Sequence, residues 1–202
     1  REAKDSKVAV DRLVEAINDM LDYNPNIRIA IEPKPNEPMD HAYIPTTGHA
    51  LALGYLTHDH SRVGVNIETA HAILAGLDPS DEMGFALAFE KLYTVHLNDQ
   101  NGLKFDEDRS FGAINLRSAF NQVRILEKHN YGQHGEFVGL DVKAMRTQKQ
   151  DAATQHLSNS RTIFLKLVNL VRSLDETQMD QLIAERDYEA LEMLIINHIL
   201  GG

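Results

Sequence analysis

A strand, a polar loop and a helix follow one another four times along this chain, and that repeat limits the fold more than any other feature of the sequence. Residues 27–31, 63–66, 92–98 and 136–141 read as short strands carried by Val, Ile and Leu. Helices are expected at 48–57, at 69–75 and 79–90, at 115–129 and at 151–174, where apolar side chains recur every three to four residues. Another amphipathic helix, 8–23, precedes the first strand; Val10, Leu13, Val14, Ile17 and Leu21 share a face, and Asn24-Pro25 stops it. Strands that alternate with helices pair in parallel, so the class is α/β. After Asp175 the repeat gives way to two short helices, 177–184 and 188–199. The Pro-rich stretch 33–38 is too short and too near a strand end to divide domains.

Ionisable residues collect where each strand runs out. Glu32 and Lys34 close the first, Glu68 and His71 follow the second, and His96, Asn98 and Asp99 end the third, with Asp106 and Asp108 in its loop. Asp141 and Lys143 end the fourth. The carboxyl ends of parallel strands are where sheets and barrels of this class build their sites. The chain has 202 residues and no Cys, which removes disulfides, Cys-based zinc sites and thiol nucleophiles. Its net charge of −10, from 30 acidic against 20 basic residues, argues against nucleic acid or an anionic membrane as partner. No apolar run approaches the ~20 residues of a membrane span. The opening Arg-Glu-Ala-Lys-Asp-Ser-Lys has neither Met nor a signal-peptide shape.

Carboxylates gathered at one rim suit a hard divalent cation, and an added imidazole shifts preference towards Mn²⁺, Co²⁺ or Zn²⁺. Glu68-Thr-Ala-His71 sets two ligand types one helical turn apart. Asp106-Glu-Asp108 sets alternate carboxylates on one side of an extended loop. Lys34 and Lys143 would offset part of the repulsion. Each group has a blander reading on its own: a solvated Glu–His pair, turn aspartates, a satisfied core His96, a capping Asp141, surface lysines. Their joint occurrence at successive strand ends points to the cation.

These residues also carry a family resemblance. Ile31-Glu32-Pro33-Lys34-Pro35-Asn36-Glu37-Pro38 closely resembles the Glu-Pro-Lys-Pro-Asn-Glu-Pro signature of xylose (glucose) isomerases. Val65-Asn66-Ile67-Glu68-Thr69-Ala70-His71 is similar to their Val-Asn-Pro-Glu-Val-Gly-His segment. Residues 97–108, with Phe111-Gly112, resemble their Leu-Asn-Gly-Gln-Asn-Gly-Ile-Lys-Tyr-Asp-Gln-Asp loop, and Asp141-Val142-Lys143 with Arg146-Thr147 resembles their Asp-Phe-Lys-Pro-Pro-Arg-Thr. The end of the chain, 191–202, is similar to the family's close.

The resemblance implies a (β/α)8 TIM barrel with two divalent ions (Mn²⁺, Co²⁺ or Mg²⁺) at its carboxyl rim. One ion would be held by Glu32, Glu68, His96 and Asp141, the other by Glu68, His71, Asp106 and Asp108, with Glu68 bridging. Lys34 would hydrogen-bond the carbonyl end of the sugar, with Glu68 and Asp141 also facing substrate. Lys143 would pair with carboxylates, and Asp108 would orient or deprotonate the water that moves the hydroxyl proton. The implied reaction interconverts an aldose and a ketose by a 1,2-hydride shift on the opened sugar. Where xylose isomerases carry Asp, this chain has His96, a feature similar to L-rhamnose isomerases; it removes one negative charge and should weaken Mg²⁺ relative to Mn²⁺ or Co²⁺. Epimerases of the superfamily and a non-catalytic metal- and sugar-binding barrel are the rivals. Asp106 and Asp108 favour two ions over the single ion of such epimerases.

A complete barrel takes about 250 residues and eight strands. The motifs therefore place residues 1–175 as the carboxyl-terminal half of a barrel, helix 4 to helix 8, and 176–202 as a helical tail. The expected partners are the amino-terminal half of the barrel, the sugar, and further copies in a dimer or tetramer, in the cytoplasm.

Overall fold

The computed structural model describes residues 5–201; the outermost ends of the two expected stretches, 1–4 and 202, lie outside it. Helix α1, Ser6–Tyr23, starts at Asp5, whose side chain accepts the Lys7 and Val8 N–H groups, and ends at Asn24-Pro25. Strand β1, Ile29–Ile31, leads through the Pro-rich loop to α2, Thr47–Tyr55. Strand β2, Val63–Glu68, is followed by α3, Thr69–Leu74, and α4, Pro79–Ala88. Strand β3, Leu92–Leu97, and a long loop precede α5, Leu116–Lys128. Strand β4, Phe137–Leu140, precedes α6, Gln155–Arg172; α7, Glu176–Glu185, and α8, Tyr188–Leu200, complete the described chain.

The strands form one sheet in the order β1-β2-β3-β4, every pair parallel. Sequential parallel strands with helical crossovers are the repeat of a (β/α)8 barrel, and four of its eight strands lie among the described residues. The main core sits between the sheet and its helices: Val65, Ile67, Val95 and Leu97 face Met83, Phe111, Phe120, Val123 and Val168. A smaller cluster of Ile17, Leu21, Leu53 and Val63 fixes α1 and α2. Among the described residues no helix is long and apolar enough to cross a membrane.

Most expected boundaries move by one or two residues, β2 for one running on to Glu68, and two of the starts are instructive. The first strand begins at Ile29 rather than 27, where its pairing with Val63 starts; Arg28, just before it, lays its guanidinium over the Tyr93 ring, 3.7 Å from the centroid. The long helix begins at Gln155 rather than 151, because Gln150–Ala152 winds as a 3₁₀ turn. The register between β2 and β3 shifts at Val65/Asn66. Gly64 stands beside that shift, where a Cβ would lie 2.6 Å from Lys91 O and from the Tyr93 ring, so only glycine lets the two strands approach there.

Candidate metal centre

The carboxyl ends of all four strands meet at one rim. Glu32 follows β1, Glu68 ends β2, His71 lies in α3, His96 is the penultimate residue of β3, and Asp141 follows β4. Register sets Glu68 beside His96 and His96 beside Gly139. A Cβ on Gly139 would lie 3.0 Å from His96 Cδ2, so the glycine leaves the room the imidazole needs. Gly139→Ala is expected to push the ring, at ~1–3 kcal/mol if it cannot yield, and to weaken ion binding around His96 while sparing the set around Asp106. A divalent-ion titration with a denaturant melt checks both effects.

Buried Glu68 is the common member of three donor groups: with Glu32 and His71, with His96 and Asp141, and with Asp106 and Asp108; within each group one donor atom per residue lies within 4.8 Å of the others. His71 Nε2 is 3.2 Å from Glu68 Oε1 and 3.3 Å from Asp106 Oδ2. His96 Nδ1 is 3.2 Å from Glu32 Oε2, 3.9 Å from Glu68 Oε2 and 3.8 Å from Asp141 Oδ2. Glu32 reaches both imidazoles, its Oε1 lying 3.4 Å from His71 Nδ1. Lys34 Nζ donates to Asp106 Oδ2 at 2.6 Å, and Lys143 pairs with Asp108. All nine site residues expected from the sequence, counting Lys143, thus come together.

The way Asp106 and Asp108 converge differs from the expected extended alternation. Asp108 takes a left-handed backbone, φ 45°, and its flanks are tied by the Asp99–Arg109 pair of hydrogen bonds, 2.9 and 2.8 Å. Gln100 ties the loop from within, its amide donating to Gly102 O and Phe105 O and accepting from the Glu107 N–H. Asp99 faces away from the rim: its carboxylate accepts the N–H groups of Gln100, Ile114 and Asn115 and braces the start of α5. Sequence reasoning placed one amide at the rim without a role, Asn98, and passed over a second, Asn66. Asn66 donates to Glu32, and its Nδ2 lies 2.9 Å from His96 Nδ1. Strand alternation could have found Asn66, which shares a face with Glu68.

The electrostatics fit a cation. Burial pushes Glu68 and Asp108 above the usual carboxylate range. Burial also opposes ionisation of Glu32 and Asp106, but His96, His71 and Asn66 together outweigh it at Glu32, as His71 and Lys34 do at Asp106, and both are held low. Hydrogen bonds to Glu32 and Glu68 raise His96 to about 10, and His71 is raised because Asp106, Glu68 and Glu32 outweigh its burial. Asn66 asks Nδ1 of His96 for a lone pair while Glu32 asks it for a proton; a metal ion accepts the lone pair in the proton's place. Buried His71 Nδ1 and Asp106 Oδ1 have no hydrogen-bond partner, leaving donor capacity unused at the rim.

A family model described as xylose isomerase-like TIM barrel matches residues 1–157. A xylose isomerase of Streptomyces lividans is 40% identical over 154 residues, covering 74% of this chain and 38% of that protein. The chain therefore spans well under half the length of this curated relative. Among solved structures, a D-tagatose 3-epimerase-like protein matches with a TM-score of 0.60 and 18% identity, covering 79% of this chain and 55% of that chain, a likeness of fold.

Proposed function

The chain belongs to the xylose isomerase-like TIM barrel family, and from that membership we propose that it forms the metal-binding half of a sugar isomerase that converts an aldose to a ketose. The observation that carries this reading is the convergence of three donor groups on one buried carboxylate, Glu68. Glu32, Glu68, His96 and Asp141 would hold one divalent ion, and Glu68, His71, Asp106 and Asp108 the second. Bound there, Mn²⁺, Co²⁺ or Mg²⁺ would supply Lewis acidity to the opened sugar.

The chain's own groups do the rest. Lys34, half-buried and anchored on Asp106, presents an ammonium that can donate to the carbonyl oxygen of the open sugar. Hydride passes from C2 to C1 within the substrate, the O2 proton leaves and a proton arrives on O1, so no external oxidant is needed. Asp108 is buried, with its affinity for protons raised by burial, and is suited to take that proton from water and return it. Glu68 and Asp141 line the side of the rim where the sugar oxygens would lie. The remaining four strands would come from the amino-terminal half of the same barrel. In support, β1 and β4 each pair on one side only among the described residues, and Phe137 on β4 is exposed. Further copies would complete a dimer or tetramer.

The deciding experiment uses the complete protein with Mn²⁺, Co²⁺ and Mg²⁺ against aldopentoses, aldohexoses and 6-deoxyhexoses. With [2-²H]-xylose, label retained at C1 of the ketose is expected. Exchange of that label with solvent excludes the hydride shift, and failure to bind any divalent ion removes the enzymatic reading. His96 favours a second reading, a rhamnose-isomerase-like enzyme with the same chemistry; a 6-deoxyhexose turned over faster than xylose would select it.

A further inference from the structure

We infer that Asn98 is the positioning residue that locks the two ion sets together through Glu68, an inference that rests on the two-ion reading above. Asn98 directly follows β3 and is 0% exposed. Its Nδ2 donates to Glu68 Oε1 at 3.0 Å, to Asp108 Oδ1 at 2.9 Å and to the backbone oxygen of Asp141 at 3.0 Å. Its Oδ1 accepts the Ala70 N–H at 2.7 Å, in the first turn of the helix that carries His71. One amide thus touches the end of β2, the start of α3, the loop after β3 and the end of β4. Those four segments deliver every proposed ligand except Glu32 and His96.

An amide has two N–H protons, and here three acceptors face them, so its plane is fixed from three sides. The consequence falls on Glu68. With Oε1 pinned between Asn98 and His71 Nε2, Oε2 is left turned towards His96. The two oxygens of the shared carboxylate therefore address different donor groups, which is what bridging requires. The same N–H groups place positive dipole between Glu68 and Asp108, two buried carboxylates that would otherwise repel. Outer partners of this kind alter metal affinity by about 10–100-fold when removed.

The test titrates Mn²⁺ into the complete protein by calorimetry and follows the bound ions by electron paramagnetic resonance. Asn98→Ala is expected to weaken both ions by about 10–100-fold and to replace the spin-coupled dinuclear signal by separate ions. Should that variant fail to fold, Asn98→Asp keeps the acceptor for Ala70 and replaces the donors by a carboxylate oxygen facing Glu68 and Asp108; it is expected to lose the coupled signal too. Gln122→Leu is the structural control, because it removes an equally buried hydrogen bond, Gln122 Oε1 to Thr69 Oγ1 at 2.7 Å, without touching a carboxylate of the site. That control should lower thermal stability and leave both affinities and the signal unchanged. Wild-type protein that binds fewer than two Mn²⁺ refutes the two-ion reading itself. Wild-type protein that binds two, with a coupled signal kept in the Asn98 variants or a loss confined to one ion, overturns the role assigned to Asn98.

Discussion

Glu68→Ala is expected to abolish binding of both divalent ions and to take isomerase activity to background. Glu68 is 2% exposed and is shared by all three donor groups found among the described residues, so its loss empties one position in each. A calorimetric titration with Mn²⁺ reads this directly, and heat stability reads it a second way. An ion that binds only the folded chain, at a hundredfold excess over its Kd, adds ~2.7 kcal/mol of stability. For a domain of this size each kcal/mol moves Tm by ~2–4 °C. Wild-type Tm should therefore climb with Mn²⁺, while that of the variant stays flat. A variant that still binds two ions would refute the shared role of Glu68.

Much of this site was legible before any coordinates, because parallel strands deliver their carboxyl ends to one rim and the sequence marks each end with a charge. Glu32, Glu68, His96 and Asp141 needed only the βα repeat to be placed together. What could not be read was how the loops aim their side chains. Asp106 and Asp108 converge through a left-handed turn at Asp108, a conformation that Asp tolerates but that no periodicity reveals. Asp99 carries the same charge as its neighbours yet spends it on backbone N–H groups, and only the folded loop shows that. Asn66 escaped a reading keyed to ionisable groups and Asn98 entered it without a role, although each donates to the carboxylates those groups supply. The first strand also looked longer than it is, since Ile27 continues the alternation of Ile29 and Ile31 although pairing with β2 begins only at Ile29.

Asp108→Asn is expected to lower kcat by about 10²–10⁴-fold at saturating Mn²⁺, with the fold intact. Asparagine is the informative replacement because it matches the shape and also accepts the left-handed φ of 45° at this position. Its carbonyl oxygen can still accept the N–H of Asn98, now 2.9 Å from Asp108 Oδ1, so the loop keeps its tie to the centre. Its amide would instead face Lys143, which loses its carboxylate partner and gains a second donor in front of it. Proton transfer and charge compensation are thus removed while the geometry is held. Lys143→Met separates the two: it leaves the carboxylate of Asp108 in place without its cation, so the carboxyl should hold its proton to higher pH and the rising limb of the pH–rate profile should move up. If Asp108→Asn keeps wild-type kcat once Mn²⁺ saturates, the proton passes through another group, and Asp108 is left with ion binding alone.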